Sequence, residues 1–163
     1  MQFISKNTKR TNDLTPFARD CGWQMKRIPM TSLRQTWKTP KAVYQTLDAE
    51  FGFDFDPCPP NPGFDGLNRE WGKRNFINPP FKGIEKWVAK AYAEHLLGKI
   101  CVMLIPSRTD TRYWHDFCMK ASEIRFIKGR LKFDDCKSPA PFPSAVIIFN
   151  PASLRATDGF EVE

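Results

Sequence analysis

The chain is predicted to adopt an α/β fold, with a mostly parallel sheet covered by helices and an antiparallel strand near the carboxyl terminus. Two observations predict this class. Apolar runs of strand length alternate with stretches in which apolar residues recur every three or four positions, as on one face of a helix. The run 100–105 is apolar throughout, which is typical of a central strand covered on both faces.

The first predicted helix follows Trp-Lys-Thr-Pro at residues 37–40. Thr39 suits the cap of this helix and Pro40 suits its first position. Apolar residues then recur on one face, and Gly52 ends the helix. Residues 53–56 alternate apolar and acidic side chains, which predicts a strand ending at Asp56 before the proline-rich turn 57–63.

Four more strands and two more helices complete the predicted fold. A strand at 74–77 runs into Asn78, and a helix begins at Gly83 with Ile84, Trp87, Val88 and Ala91 on one face. After the strand 100–105, Thr109 or Asp110 caps a second helix. Strands at 123–127 and 144–149 then form a final antiparallel pair.

Length and composition indicate one globular domain. The 163 residues suffice for a core without disulfides, and no apolar run reaches the length of a membrane span. The five cysteines form no CxxC pair, which argues against a disulfide framework or a metal cluster. Because the first residues lack an apolar signal segment, we expect a cytoplasmic protein. The expected divisions are a basic arm (1–36), a folded domain (37–150) and a polar tail (151–163).

The positive charge is concentrated at the amino terminus. Residues 1–38 contain eight Lys or Arg against two Asp, which accounts for +6 of the net charge of +7. A basic arm of this kind, with Lys9 and Arg10 at its centre, suits phosphate contact with a nucleic acid. The alternative is a merely solvated leader.

Asn78-Pro79-Pro80-Phe81 is the most informative stretch of the chain. Prolines cannot donate to a sheet ladder, so this ending is unsuited to the interior of a strand. At the carboxyl end of a strand, where ligands bind in open α/β sheets, it presents the Asn78 oxygen and backbone carbonyls as fixed acceptors beside the Phe81 ring. Such acceptors suit a planar group that carries an NH2, such as a nucleobase.

Two other predicted strands also end in polar residues. Asp56 is the last residue of the strand at 53–56, and Arg108 lies just beyond the apolar strand at 100–105. An acid at this place can accept hydrogen bonds from a ribose hydroxyl or an ammonium group, although Asp before Pro is also a common start of a turn. Arg108 and Arg130 are candidates for contact with the DNA backbone, and ordinary solvated arginines are the alternative.

Five motifs together resemble one known family. They are Trp-x-Thr-Pro at 37–40, Phe-x-Phe-x-Asp-Pro-Cys at 53–58, Asn-Pro-Pro-Phe at 78–81, Ile-Pro-Ser-Arg-Thr-Asp-Thr at 105–111 and Gly-Arg-Leu-x-Phe at 129–133. In this order and spacing they resemble the phage-type, Dam-like DNA N-6-adenine methyltransferases over residues 36–150.

The resemblance implies an abbreviated Rossmann-like methyltransferase fold and S-adenosylmethionine as methyl donor. It implies that Thr39, Pro40, Asp56, Pro57 and Asn78 border the cofactor. It also implies that Asn78, Pro79, Pro80 and Phe81 form the catalytic motif. Few residues separate Asp56 from Asn78, so the half of the sheet that usually holds the cofactor adenine is expected to be missing or abbreviated, with the 57–72 loop in its place.

The implied reaction is methylation of the N6 amino group of an adenine flipped out of double-stranded DNA. It requires neither a metal nor a membrane, and the resemblance implies a phage or prophage gene in a bacterial host. The alternatives are a related enzyme that acts on RNA or protein glutamine, and a catalytically weak DNA-binding module.

Overall fold

The computed structural model describes residues 38–133, 136 and 138–154, and the fold within them is one sheet between two helical layers. Helices and strands alternate along the chain up to the last two strands, which follow one another. In order, the elements are α1 (Lys41–Phe51), β1 (Arg74–Ile77), α2 (Ile84–Leu96), β2 (Ile100–Pro106), α3 (Arg112–Asp116), β3 (Glu123–Phe126), β4 (Ser144–Phe149) and α4 (Pro151–Leu154), with a 3-10 turn at Cys118–Lys120 after α3.

The strand order is β1-β2-β4-β3, and the expectation of a mostly parallel sheet is wrong. Only β1 and β2 pair in parallel, whereas β4 is antiparallel to both β2 and β3. The physical reason is the connection after β3. It begins and ends at the same edge of the sheet, so β4 runs back between β2 and β3 in the opposite direction to both. The predicted antiparallel pairing of the last two strands is confirmed.

These pairings place three strand ends together. Because β4 is antiparallel to both of its neighbours, β3 runs in the same direction as β1 and β2. We call the side of the sheet where β1, β2 and β3 end and β4 begins the carboxyl edge. Asn78, Arg108 and the turn after Phe126 therefore all follow strands that end at this edge.

The predicted strand at 53–56 is wrong, since it is reduced to one parallel bridge between Phe55 and Asn75. Two causes are visible. Pro57 ends the run, because a proline has no N–H to donate. In addition, the Asp54 carboxylate accepts the backbone N–H groups of Lys73 and Arg74 at 3.2 and 3.0 Å, so a side chain satisfies donors next to the bridge. As a result, β1 is the outermost full strand on this side of the sheet.

Helix α1 begins after Pro40 and ends at Gly52, whose left-handed φ of 61° suits a glycine. The expected capping role of Thr39 is wrong, because no side chain caps this helix. Helix α2 begins after Gly83 as expected, and its four predicted apolar residues are buried. The cap position of helix α3 is Thr111, so the expected cap at Thr109 or Asp110 is wrong.

The sheet has a hydrophobic core on each face. Alternate residues of β2 and β4 point to opposite faces, so Met103 and Ile147 pack with α2 and α3, whereas Leu104 and Val146 pack with α1 and the segment around Phe142. This explains why the run 100–105 is apolar throughout. Within the part of the chain described, no helix has both the length and the apolar character needed to cross a bilayer.

Candidate functional site

A cavity of about 940 Å³ lies beside the end of β1, between α1 and the proline-rich loop formed by residues 57–72. It brings together five of the residues that the sequence singled out, from three separate stretches: Thr39, Asp56, Pro57, Asn78 and Pro80. The rest of its wall comes from Lys38, from the polar side of α1, from residues 58–62 and 64–66, and from Phe76 and Trp87. A cleft of this size is typical of sites that hold small molecules and cofactors.

Asn78 lies at the junction of β1 and this cavity, and Thr39 holds its amide group. The Asn78 Nδ2 donates to the Thr39 hydroxyl oxygen at 3.0 Å, across 39 positions of sequence. Because Nδ2 and Oδ1 lie in one plane and diverge from Cγ, this bond directs Oδ1 away from Thr39. The hydroxyl expected to cap α1 therefore orients the predicted catalytic side chain.

Asp56 lies in the same cavity in an environment that disfavours its charge. Its carboxylate accepts the backbone N–H of Cys58 at 2.7 Å, which closes the turn after the bridge. Burial nevertheless raises the pKa of Asp56 to about 6, and the hydrogen bond from Cys58 offsets only part of that effect. A carboxylate desolvated in this way is stabilised by any ligand that brings a cation or hydroxyl donors to it.

The proline-rich loop is fixed by two tryptophans. Trp71 is buried, donates its indole N–H to the Gly66 carbonyl at 2.7 Å, and stacks on Trp87 at a centroid distance of 6.4 Å. A Cβ at Gly66 would lie 2.1 Å from the Pro57 carbonyl oxygen, so only glycine permits this approach. The loop therefore forms a defined wall where the sheet has no further full strand.

The sequence missed several wall residues. Tyr44, Gln45 and Asp48 of α1 line the cavity with Lys41, and Phe64 and Trp87 provide apolar surface. The signal was available, since Lys41, Tyr44, Gln45 and Asp48 follow the spacing of one helix face. Trp87, predicted to be a core residue, is both buried and part of the wall. Burial, followed by the charges of Asp48 and Asp56, raises the pKa of Tyr44.

The other predicted site residues lie outside the cavity wall. Pro40 precedes α1, and Pro79 is buried directly after Asn78. Phe81 is half-buried and packs edge-to-face on Phe142, with ring centroids 5.0 Å apart at 88°. Phe142 is thus an aromatic neighbour of the motif that the sequence did not single out.

Two of the predicted DNA-contacting residues lie in the turns that follow β2 and β3. Arg108 is half-buried in the turn after β2, where its carbonyl accepts the Thr111 hydroxyl at 2.7 Å. Arg130 is exposed beyond Gly129, whose φ of 80° reverses the chain after β3. Lys9 and Arg10, with the rest of the basic arm, lie outside the described residues.

Nothing in the described part of the chain resembles a metal centre. Within residues 38–133, 136 and 138–154, no group of three or more His, Cys, Asp or Glu side chains is placed to hold an ion. The four cysteines in these ranges are unpaired, and burial raises the pKa of the Cys101 and Cys118 thiols to about 12. These buried thiols are therefore protonated near neutral pH.

Comparison with known proteins gives one match. The family model described as DNA N-6-adenine-methyltransferase (Dam) matches residues 28–149, which include the whole cavity wall and all four strands. No curated protein and no solved structure matches the chain. The match covers well over half of the sequence and confirms the resemblance carried by the five motifs. The chain belongs to the DNA N-6-adenine-methyltransferase (Dam) family.

Proposed function

We propose that this protein transfers a methyl group from S-adenosylmethionine to the N6 amino group of an adenine flipped out of double-stranded DNA. One observation carries the proposal beyond the family: Asn78, its orienting partner Thr39 and the desolvated Asp56 line a single cavity of cofactor size. The cavity thus has one region for a methyl donor and one for the amino group that receives the methyl.

The residues of the cavity fit S-adenosylmethionine. When bound, this cofactor supplies an electrophilic methyl group on a positively charged sulfur. Asp56 suits its ammonium group or its ribose hydroxyls, because either would stabilise a carboxylate whose pKa burial has raised. Tyr44, Phe64 and Trp87 provide aromatic surface for the purine ring. The loop wall thereby takes the place of the absent part of the sheet.

Asn78 and Pro79 act on the amino group of the target adenine. The Asn78 Oδ1 and the Pro79 carbonyl accept its two N–H bonds, which raises the electron density on the nitrogen and aligns its lone pair with the methyl group. Thr39 keeps the Asn78 amide in the required orientation. Phe81, supported by Phe142, stacks on the base. Orientation and fixed dipoles therefore account for the rate.

The protons need no dedicated base in this scheme. Bound S-adenosylmethionine would supply the methyl group to the nitrogen, and its sulfur would keep the electron pair of the carbon–sulfur bond. One proton of the amino group then leaves to solvent. Arg108, Arg130 and the basic arm with Lys9 and Arg10 contact phosphates and hold the duplex while the base is out of the stack.

A methyl-transfer assay tests the reaction class. We expect label from S-adenosylmethionine carrying a radioactive methyl group to appear in DNA, and nuclease digestion to release it as N6-methyladenine. RNA and a glutamine-containing protein serve as parallel substrates. Label found only in RNA or in protein would replace the proposal with the corresponding enzyme. DNA binding without transfer to any substrate would favour a binding module.

The Thr39 bond makes a separate prediction. Thr39→Val removes the hydroxyl while keeping the shape of the side chain, so the Asn78 amide loses its fixed orientation. We expect kcat to fall about tenfold, as for loss of one hydrogen bond, with the cofactor Kd unchanged. Steady-state kinetics and cofactor titration measure the two quantities.

Thr39→Ser is the matched control, because it keeps the hydroxyl and should restore most of kcat. The opposite pattern, a weaker cofactor Kd with kcat intact, would make Thr39 a cofactor contact, as the family resemblance implies, and would contradict the orienting role.

A further inference from the structure

Phe126 is a large apolar side chain that the fold leaves exposed. It is the last residue of β3 and is 66% exposed, although its strand pairs fully with β4. Its ring is held in place, because it stacks on the buried Trp114 at a centroid distance of 6.4 Å and an angle of 21°. An exposed ring in a defined position can bind a partner without the cost of ordering it.

The surroundings of Phe126 are basic. The turn that follows contains exposed Lys128, Arg130 and Lys132, and the Arg112 side chain at the start of α3 is 96% exposed. Among the described residues of α3 and the turn before it, the acids are Asp110 and Asp116, and the Asp116 carboxylate lies 3.8 Å from the Arg112 Nε. We define the Phe126 surface as Arg112, Phe126, Lys128, Arg130 and Lys132.

The sheet places this surface on the same edge as the catalytic motif. Since β1 and β3 run in the same direction, Phe126 and Ile77 both end their strands at the carboxyl edge. The two strands are three positions apart in the order β1-β2-β4-β3, so their ends are separated by about 14 Å at the usual spacing of paired strands. In a duplex this distance corresponds to about four base pairs.

We infer that the Phe126 surface holds duplex DNA on one side of the target adenine. The basic side chains contact phosphates, and the Phe126 ring contacts the bases or sugars about four base pairs from the adenine. The inference rests on the proposed function, since it takes DNA as the substrate, and it adds where the duplex lies. The inference explains why Phe126, at the end of an edge strand, is exposed directly before a turn that contains three basic residues.

Two variants with different expected signatures test the inference. Arg130→Gln should raise the Kd for a labelled duplex about fivefold at low salt and make the slope of log Kd against log salt shallower by about one, because one phosphate contact is lost. Phe126→Ala should raise Kd by a similar factor with the slope unchanged, since the ring contributes no charge. Anisotropy titrations at several salt concentrations measure both.

Matched controls lie at the opposite edge of the sheet. Leu97, 75% exposed at the end of α2, is replaced by alanine, and exposed Lys73, just before β1, is replaced by glutamine. Both controls should bind the duplex like the unaltered protein. Because the Phe126 ring stacks on Trp114, we expect Phe126→Ala also to lower the melting temperature. Arg130 is exposed, so Arg130→Gln keeps the test valid if Phe126→Ala unfolds.

Three outcomes would overturn the inference. The first is Arg130→Gln and Phe126→Ala binding the duplex as the controls do. The second is Phe126→Ala abolishing self-association in sedimentation while DNA affinity is unchanged, which would make the surface a contact between copies of the chain. The third is a loss of cofactor affinity in either variant. Failure of the proposed function is distinguishable, because the unaltered protein would then transfer no methyl group to DNA while these binding results would stand.

Discussion

We expect Asn78→Ala to lower the rate of methyl transfer by about a hundredfold to a thousandfold, the size of effect seen when one fixed dipole is removed from a reacting centre. The amide oxygen is the side-chain acceptor that we place on the target amino group, and alanine has nothing to replace it. The side chain is only half-buried, so the fold is expected to survive its loss. Single-turnover kinetics with saturating DNA measure the rate.

The control for this variant keeps one acceptor in place. In Asn78→Asp the Thr39 hydroxyl can donate to one carboxylate oxygen, which leaves the other oxygen as an oriented acceptor. This variant should therefore retain more activity than Asn78→Ala. Cofactor titration and thermal melting should give similar values for both variants and the unaltered protein. An Asn78→Ala protein that methylates DNA at the normal rate would remove Asn78 from the mechanism.

Asp56→Asn should have opposite effects on stability and on cofactor binding. Burial raises the pKa of Asp56 from 3.8 to about 6, so the folded protein bears a cost when this group is ionised. Removing the charge should raise the free energy of unfolding at pH 8 by about 1 to 3 kcal/mol, while the acceptor for the Cys58 N–H remains. Without the carboxylate, cofactor affinity should fall about tenfold.

The stability difference between Asp56→Asn and the unaltered protein should depend on pH. Since the pKa is higher in the folded than in the unfolded chain, the cost is fully present above pH 6 and disappears as the pH falls from about 6 to below 3.8. The extra stability of Asp56→Asn should therefore vanish over that range. Cofactor binding by the unaltered protein should weaken over the same range as Asp56 becomes protonated.

Chemical denaturation at pH 8 and pH 4, with cofactor titration, measures these quantities. Asp110→Asn is the control, because Asp110 is exposed near the carboxyl edge and does not line the cavity. The control should change neither quantity. If Asp56→Asn destabilises the protein at pH 8 while binding the cofactor normally, the carboxylate is structural and has no place in the cofactor site.

The agreement between sequence and structure is closest where local rules decide the outcome. Helix α2 has the predicted start and buried face, and Gly52 ends α1 as expected. The run 100–105 is a central strand buried on both faces. Each prediction depended on periodicity or on the special conformations of glycine, which act within a few residues.

The agreement fails where two distant segments compete for the same groups. The Asp54 carboxylate satisfies backbone donors 19 and 20 positions away, and the strand expected at 53–56 shrinks to one bridge. The Thr39 hydroxyl contacts Asn78 in place of capping α1. Local propensity cannot show that such a partner exists, so the helix cap and the strand were natural but wrong predictions.

The Asn-Pro-Pro-Phe stretch and the acid before Pro57 identified a candidate site from the sequence alone, because prolines and an amide after a buried strand have few structural uses. Only the tertiary structure decided that β4 lies between β2 and β3 and that a proline-rich loop forms the outer wall of the cavity. It also decided that the exposed ring of Phe126 shares an edge with Asn78. The physical reason is that strand order and the closing of a cavity depend on contacts between distant residues, whereas a periodic pattern records only which face of each element is buried.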